Sequence, residues 1–108
     1  MKPYLVIRVN EGNPPTIEFR DDKDAAVATA IELSLEMGYN GDSIHLNSVD
    51  EDGTTHPIGE VYRSDGEFYN PANKRSWWGQ PSYPMNVEMM DAKNETSLKD
   101  FLSEAFSG

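Results

Sequence analysis

Apolar and polar residues alternate from Tyr4 to Val9, with Leu5, Ile7 and Val9 on one side and Tyr4, Val6 and Arg8 on the other. That is the two-residue period of a β-strand rich in β-branched side chains. Glu11-Gly12-Asn13-Pro14-Pro15 is dense in turn formers, and Thr16 to Arg20 then sets Ile17 and Phe19 against Glu18 and Arg20. An N-terminal hairpin is predicted. The period then lengthens to that of a helix: Val27, Ala30, Ile31, Ser34 and Met37 recur on one side, widened by Ala26 and Leu33. Asp21, Asp22 and Asp24 supply N-cap and first-turn carboxylates, and Gly38 offers a left-handed stop.

Asn40-Gly41 interrupts the chain, after which Ile44, Leu46 and Ser48 alternate with His45, Asn47 and Val49. Asp52-Gly53 and Asp65-Gly66 are dipeptides that tolerate the positive φ of tight hairpins. They bracket a strand from Ile58 to Arg63, and Glu67 to Tyr69 follows, so the middle reads as a three-stranded meander. Pro57 has no amide donor, which moves the start of its strand to an edge or a bulge. Residues 70–86 carry Pro71, Gly79, Pro81 and Pro84 around Trp77, Trp78 and Tyr83 and read as a long irregular loop. Val87, Met89 and Met90 suggest a short last strand. Leu98, Phe101, Leu102, Ala105 and Phe106 fit an amphipathic helix capped by Thr96 or Ser97.

This order predicts an α+β fold: a small antiparallel sheet, made of the N-terminal hairpin plus the meander, with one central helix and one C-terminal amphipathic helix packed on one face. At 108 residues the chain has the size of one domain, 1–108. It has no cysteine, which excludes disulfides, thiolate metal sites and cysteine nucleophiles. No stretch approaches the roughly 18 apolar residues of a spanning helix, and no basic region precedes an apolar run at the start. A cytoplasmic protein is expected.

Charge adds the most. The formal net charge is -10, and its distribution is uneven. Lys plus Arg against Asp plus Glu runs four to four over residues 1–23, one to ten over 24–67, and four to five over 68–108. No Lys or Arg stands between Lys23 and Arg63. A one-signed surface favours basic partners and repels nucleic acid and anionic membrane. Charge runs are usually no more than a solvated surface. Against that, Asp24, Ala28, Glu32 and Glu36 form one i, i+4 stripe on the predicted helix. The Glu32 and Glu36 repulsion there costs about 0.2–0.5 kcal/mol, and the helix dipole disfavours Glu36 in the last turn.

If the element order is right, Asp21, Asp22 and Asp24 share one end of the sheet with Asp50, Glu51 and Asp52, while Glu36, Asp42, Asp65 and Glu67 share the other. Carboxylates four apart on a helix rise by about 6 Å, the scale of neighbouring backbone phosphates. The predicted partner surface is therefore Asp24, Glu32, Glu36, Asp42, Asp50, Glu51, Asp52, Asp65 and Glu67. The expected partner is a basic, nucleic-acid-binding protein rather than nucleic acid or membrane, with an oligomer left open. Phage anti-defence proteins and immunity proteins of toxic nucleases are classes that work this way.

The Asp50-Glu51-Asp52-Gly53 run fails as a calcium loop, because placing Gly53 at position six puts Gly59 where a bidentate Glu is needed. His45 and His56, with Asp50 or Glu60, have no metal-binding spacing along one element. No serine stands in a nucleophile turn and no glycine-rich phosphate loop occurs. The sequence calls for no catalytic residue, metal or cofactor. A second candidate surface is the loop holding Lys74, Arg75, Trp77, Trp78 and Tyr83, where a basic pair beside aromatics suits a peptide, a sugar or a sister chain. Adjacent tryptophans on a strand face opposite ways, so both cannot point inward.

Overall fold

A computed structural model of the protein describes residues 3–10, 12–38, 40–79, 88, 90 and 93–107. Six strands form one sheet in the order β2-β1-β3-β4-β5-β6, every neighbouring pair antiparallel. The strands are β1 (Tyr4–Val9), β2 (Thr16–Arg20), β3 (Ser43–Val49), β4 (Thr55–Ser64), β5 (Glu67–Asn70) and β6 (Arg75–Trp78). The helices are α1 (Lys23–Leu35), between β2 and β3, and α2 (Leu98–Ala105) after β6. The α+β architecture, the hairpin and both helices stand as the periodicity predicts. Pro57 also lies at an irregularity, since the β3–β4 register shifts between Leu46 and Asn47 and leaves Ile58 as the extra residue.

Three local expectations are corrected. Residues 75–78 are not loop: they form β6, paired with β5 through Phe68↔Trp77 and Glu67↔Trp78. The turn before it closes because Lys74 takes a left-handed conformation at φ 59, which makes the meander four strands long. Gly38 does not stop α1 in a left-handed conformation. The helix ends at Leu35 with Glu36 as a right-handed C-cap. The reversal comes at Gly41 (φ 91), whose N–H donates to the Arg63 carbonyl at 2.9 Å. Met37, expected on the helix, is a buried residue just beyond it. Of the short last strand, Val87 and Met89 lie outside the described residues, and Met90 is exposed and in no strand.

The register fixes which side chains share a face. Val6, Ile44, Leu46, Val61, Phe68 and Trp77 all point to the helix side and are buried. They meet Ala26, Ala30, Leu98, Phe101, Leu102, Ala105 and Phe106 in one core. The buried residues of α1 are small, Ala26, Thr29, Ala30 and Ser34, so the helix packs close to the sheet. The two hydroxyls cost little there because each donates to the carbonyl four residues back, Thr29 to Ala25 at 2.9 Å and Ser34 to Ala30 at 2.7 Å. Ser97 caps α2, accepting the Asp100 N–H at 3.2 Å. The end of α2 presses so tightly on β4 that a Cβ at Gly59 would run into the Ala105 carbonyl.

Candidate functional site

Helix α1 carries the acidic stripe on its outer side. Asp22 is the N-cap, its carboxylate accepting the Ala25 N–H at 3.1 Å. Asp24 sits in the first turn, where the helix dipole favours an anion. Asp24, Ala28, Glu32 and Glu36 are all exposed. Asp24 and Glu32 make no hydrogen bond or ion pair among the described residues. Glu36 differs from expectation, since its carboxylate lies 3.5 Å from the Arg8 guanidinium at the end of β1. An exposed pair of this kind is worth at most about 1 kcal/mol, but it offsets the unfavourable dipole position.

The end-to-end layout holds. Tyr4 is opposite both Arg20 and Ser48, so Asp21, Asp22 and Asp24 share an end with the β3–β4 turn. Val9 is opposite Ser43, which puts Glu36, Asp42, Asp65 and Glu67 at the other end. Most of these carboxylates have local duties. Asp50 pairs with His56 at 2.7 Å. Asp52 accepts the Thr54 N–H at 2.9 Å, and the Thr54 amide and hydroxyl hold its carboxyl below the ordinary aspartate value. Asp65, at φ 46, exchanges two hydrogen bonds with Asn40, 2.6 Å to its own N–H and 3.0 Å to its carboxylate. Glu67 is half-buried. Asp42 is not on the surface at all: it is 3% exposed, drawn in because its carbonyl accepts the Arg63 N–H at 2.9 Å. Of the predicted partner residues, Asp24, Glu32 and Glu51 are exposed and unengaged among the described residues.

The tryptophans separate as strand alternation requires. Trp77 is buried, its ring 6.2 Å from Phe68 and its indole N–H donating to the Thr96 carbonyl at 2.9 Å. Trp78 is 40% exposed, with the Lys93 ammonium 5.6 Å from its ring. Arg75 pairs with Glu95 at 2.9 Å, Lys74 is exposed in the turn, and Tyr83 lies outside the described residues.

A comparison of this chain with protein-family models, with curated proteins and with solved structures finds no match.

One arrangement went unseen in the sequence. On the face away from the helices, His45 Nε2 lies 2.9 Å from the Ser43 hydroxyl, and His45 Nδ1 lies 3.0 Å from Glu60 Oε2. Tyr62 donates to the same carboxylate oxygen at 3.4 Å. Burial and that carboxylate push the Tyr62 phenol above its ordinary value. The connectivity is that of a Ser-His-carboxylate relay. Ser43, however, is 3% exposed and sits inside the ladder between Val9 and Tyr62, where an acyl carbonyl has no approach to its oxygen. The chain of bonds therefore fixes side chains on the sheet surface. Only the Ser43-x-His45 alternation, opposite Glu60, hints at it in sequence. His56 lies on the other face of the sheet, opposite Ser48, so the two histidines do not converge on one metal site.

Arg63 is the other unforeseen feature. It is fully buried, 4.1 Å above the Phe68 ring, with one guanidinium nitrogen donating to the Gly79 carbonyl at 3.1 Å. Burial lowers its affinity for the proton. The one basic residue of the acidic middle segment is thereby withdrawn from the surface.

Proposed function

We propose that this protein is a small, non-enzymatic, acidic binding protein that acts as an inhibitor or nucleic-acid mimic by covering the basic surface of a nucleic-acid-binding protein in the cytoplasm. The observation that carries this reading is the outer side of α1. Asp24 and Glu32 stand exposed with no ion pair among the described residues, and Arg63, the single Lys or Arg between Lys23 and Tyr69, is buried. Carboxylates with structural duties need no external partner, but Asp24, Glu32 and Glu51 make no hydrogen bond or ion pair among the described residues. Their field steers a basic partner and repels polyanions, so association is fast and salt-sensitive. Phage anti-defence and nuclease-immunity proteins are the classes this reading fits.

The test is affinity capture on the immobilised chain from its native cell, eluted by a salt gradient, beside a column carrying Asp24→Asn with Glu32→Gln. Basic nucleic-acid-binding proteins should leave the first column at moderate salt and be depleted on the second. Retention indifferent to salt and to both substitutions rejects the reading. Exposure of Trp78 favours a second one, an interaction module docking a peptide, a sugar or a sister chain beside Lys93. Under that reading indole emission shifts on ligand addition and Trp78→Ala abolishes binding, while the acidic substitutions leave it intact.

A further inference from the structure

On the face of the sheet turned away from the helices, the part formed by β1 and β2 is apolar. Leu5, Ile7 and Val9 of β1 lie beside Ile17 and Phe19 of β2, and Ile17 and Phe19 are 53% and 48% exposed. None of these five belongs to the core or packs against it. Among the strand residues on this face only Glu60 and Glu67 are charged, and Glu60 is engaged by His45. A basic partner finds little to pair with here. A second copy does, because the β1–β2 side of this face lets two chains of net charge -10 meet through apolar side chains, away from Glu60 and Glu67.

Among the described residues, each sheet edge is blunted by a side chain bonded to its backbone. The Arg20 guanidinium holds the Phe19 carbonyl at 2.8 Å and is itself fixed by Thr29 at 3.1 Å and Glu18 at 3.3 Å. At the other edge the Asn94 side chain bonds the Trp78 N–H at 2.7 Å and its carbonyl at 2.9 Å. Such cover is a device that blunts edge pairing, which turns association toward the face.

The register then shows how two copies fit. A hollow of about 490 Å³ opens on this face between Ile7, His45, Asn47, Pro57, Ile58 and Glu60, with the Glu60 carboxylate held by His45 at 3.0 Å. Ile17 is level with Ile7 and His45, and Phe19 is level with Leu5, Asn47 and Pro57. A two-fold axis running along β1 in the interface keeps each residue at its level and carries β2 across to the partner's β3 and β4. Strands lie about 4.8 Å apart, so the shift from β2 to the hollow spans two to three strands, about 10–14 Å. Aligned packing of two twisted sheets permits such an axis.

We infer that the protein is a homodimer closed face to face, β1 upon β1, with Ile17 and Phe19 of each copy seated in the hollow of the other. The contact is isologous. It produces four layers, helix–sheet–sheet–helix, with the acidic outer side of α1 exposed on both flanks. The inference does not depend on the acidic-surface reading.

Sedimentation equilibrium of the full chain across a concentration series, at low and high salt, tests it. The expected result is twice the chain mass, approached at lower concentration when salt is high, because screening weakens the repulsion between the two acidic chains. Binding through the acidic surface responds to salt in the opposite sense, which keeps the two proposals apart. Ile17→Asp with Phe19→Asp should return the monomer mass with an unchanged circular dichroism spectrum. Asn47→Arg should do the same from the receiving side, and it decides the matter if the double variant fails to fold. A wild-type chain at monomer mass throughout overturns the inference, as does a dimer indifferent to both variants.

Discussion

On one face of the sheet Val6, Ile44, Leu46, Val61, Phe68 and Trp77 lie beneath the helices in the core, while on the other Leu5, Ile7, Val9, Ile17 and Phe19 stay outside it. The side chains of the two sets are alike. What separates them is cover: α1 leaves β2 and lies across the Tyr4-Val6-Arg8 side of β1, held there by the Arg20–Thr29 hydrogen bond at 3.1 Å, and α2 completes the lid with Phe101, Leu102 and Phe106. The difference teaches that apolar character in a strand marks a surface for burial without saying what buries it. The covered face carries folding stability, and the open face is left for association.

The sharpest way to break this comparison is to delete matched side chains. Leu46→Ala on the covered face should cost about 3 kcal/mol, the cost of a cavity in a closed core. Ile17→Ala on the open face should change monomer stability by no more than about 0.5 kcal/mol. Urea unfolding of both variants, at concentrations where each is monomeric, measures the contrast; equal losses would erase the distinction between the faces.

The seam between helix and sheet gives the next effect. Gly59→Ala forces a methyl into the Ala105 carbonyl, and backbone cannot yield as a side chain does. A loss of about 2 kcal/mol is expected, read as a fall in Tm of about 10 °C. A neutral Gly59→Ala would mean that α2 is not seated on β4.

The smallest effect belongs to neither face. Asp52 titrates below the ordinary aspartate value in the folded protein because the Thr54 amide and hydroxyl favour its charged form. A depressed folded value means the stabilisation is present above the unfolded value and is lost as pH falls through the folded one. Thermal melts below about pH 4 should therefore decline more gently in Asp52→Asn than in the wild type, with the two converging in acid. Parallel acid limbs would show that the turn makes no use of this carboxylate.

Much of the fold was legible because its signals are local. Asp22 before an alternation of helical period, Asp-Gly pairs between strands, and Ser97 before Leu98, Phe101 and Leu102 each act within a few residues. Strand β6 was missed because its four residues sit among proline and glycine. Its strand conformation comes from pairing with β5 and from the left-handed turn at Lys74, not from propensity. The acidic stripe on α1 was legible, but Glu36 proved tied to Arg8 and Asp42 buried. Those depend on partners 28 residues away in one case and on the turn of the chain under Arg63 in the other.

By itself, then, the sequence determined both helices, the N-terminal hairpin, the strands of the middle segment, and the concentration of the net negative charge in residues 24–67. Period, capping and charge are properties of neighbouring residues. Tertiary structure alone decided which side of β1 and β2 would be covered, which carboxylates would remain unengaged, and that Arg63 would leave the surface. An alternating strand offers two equivalent sides to a helix, and the choice is made only by where that helix comes to rest.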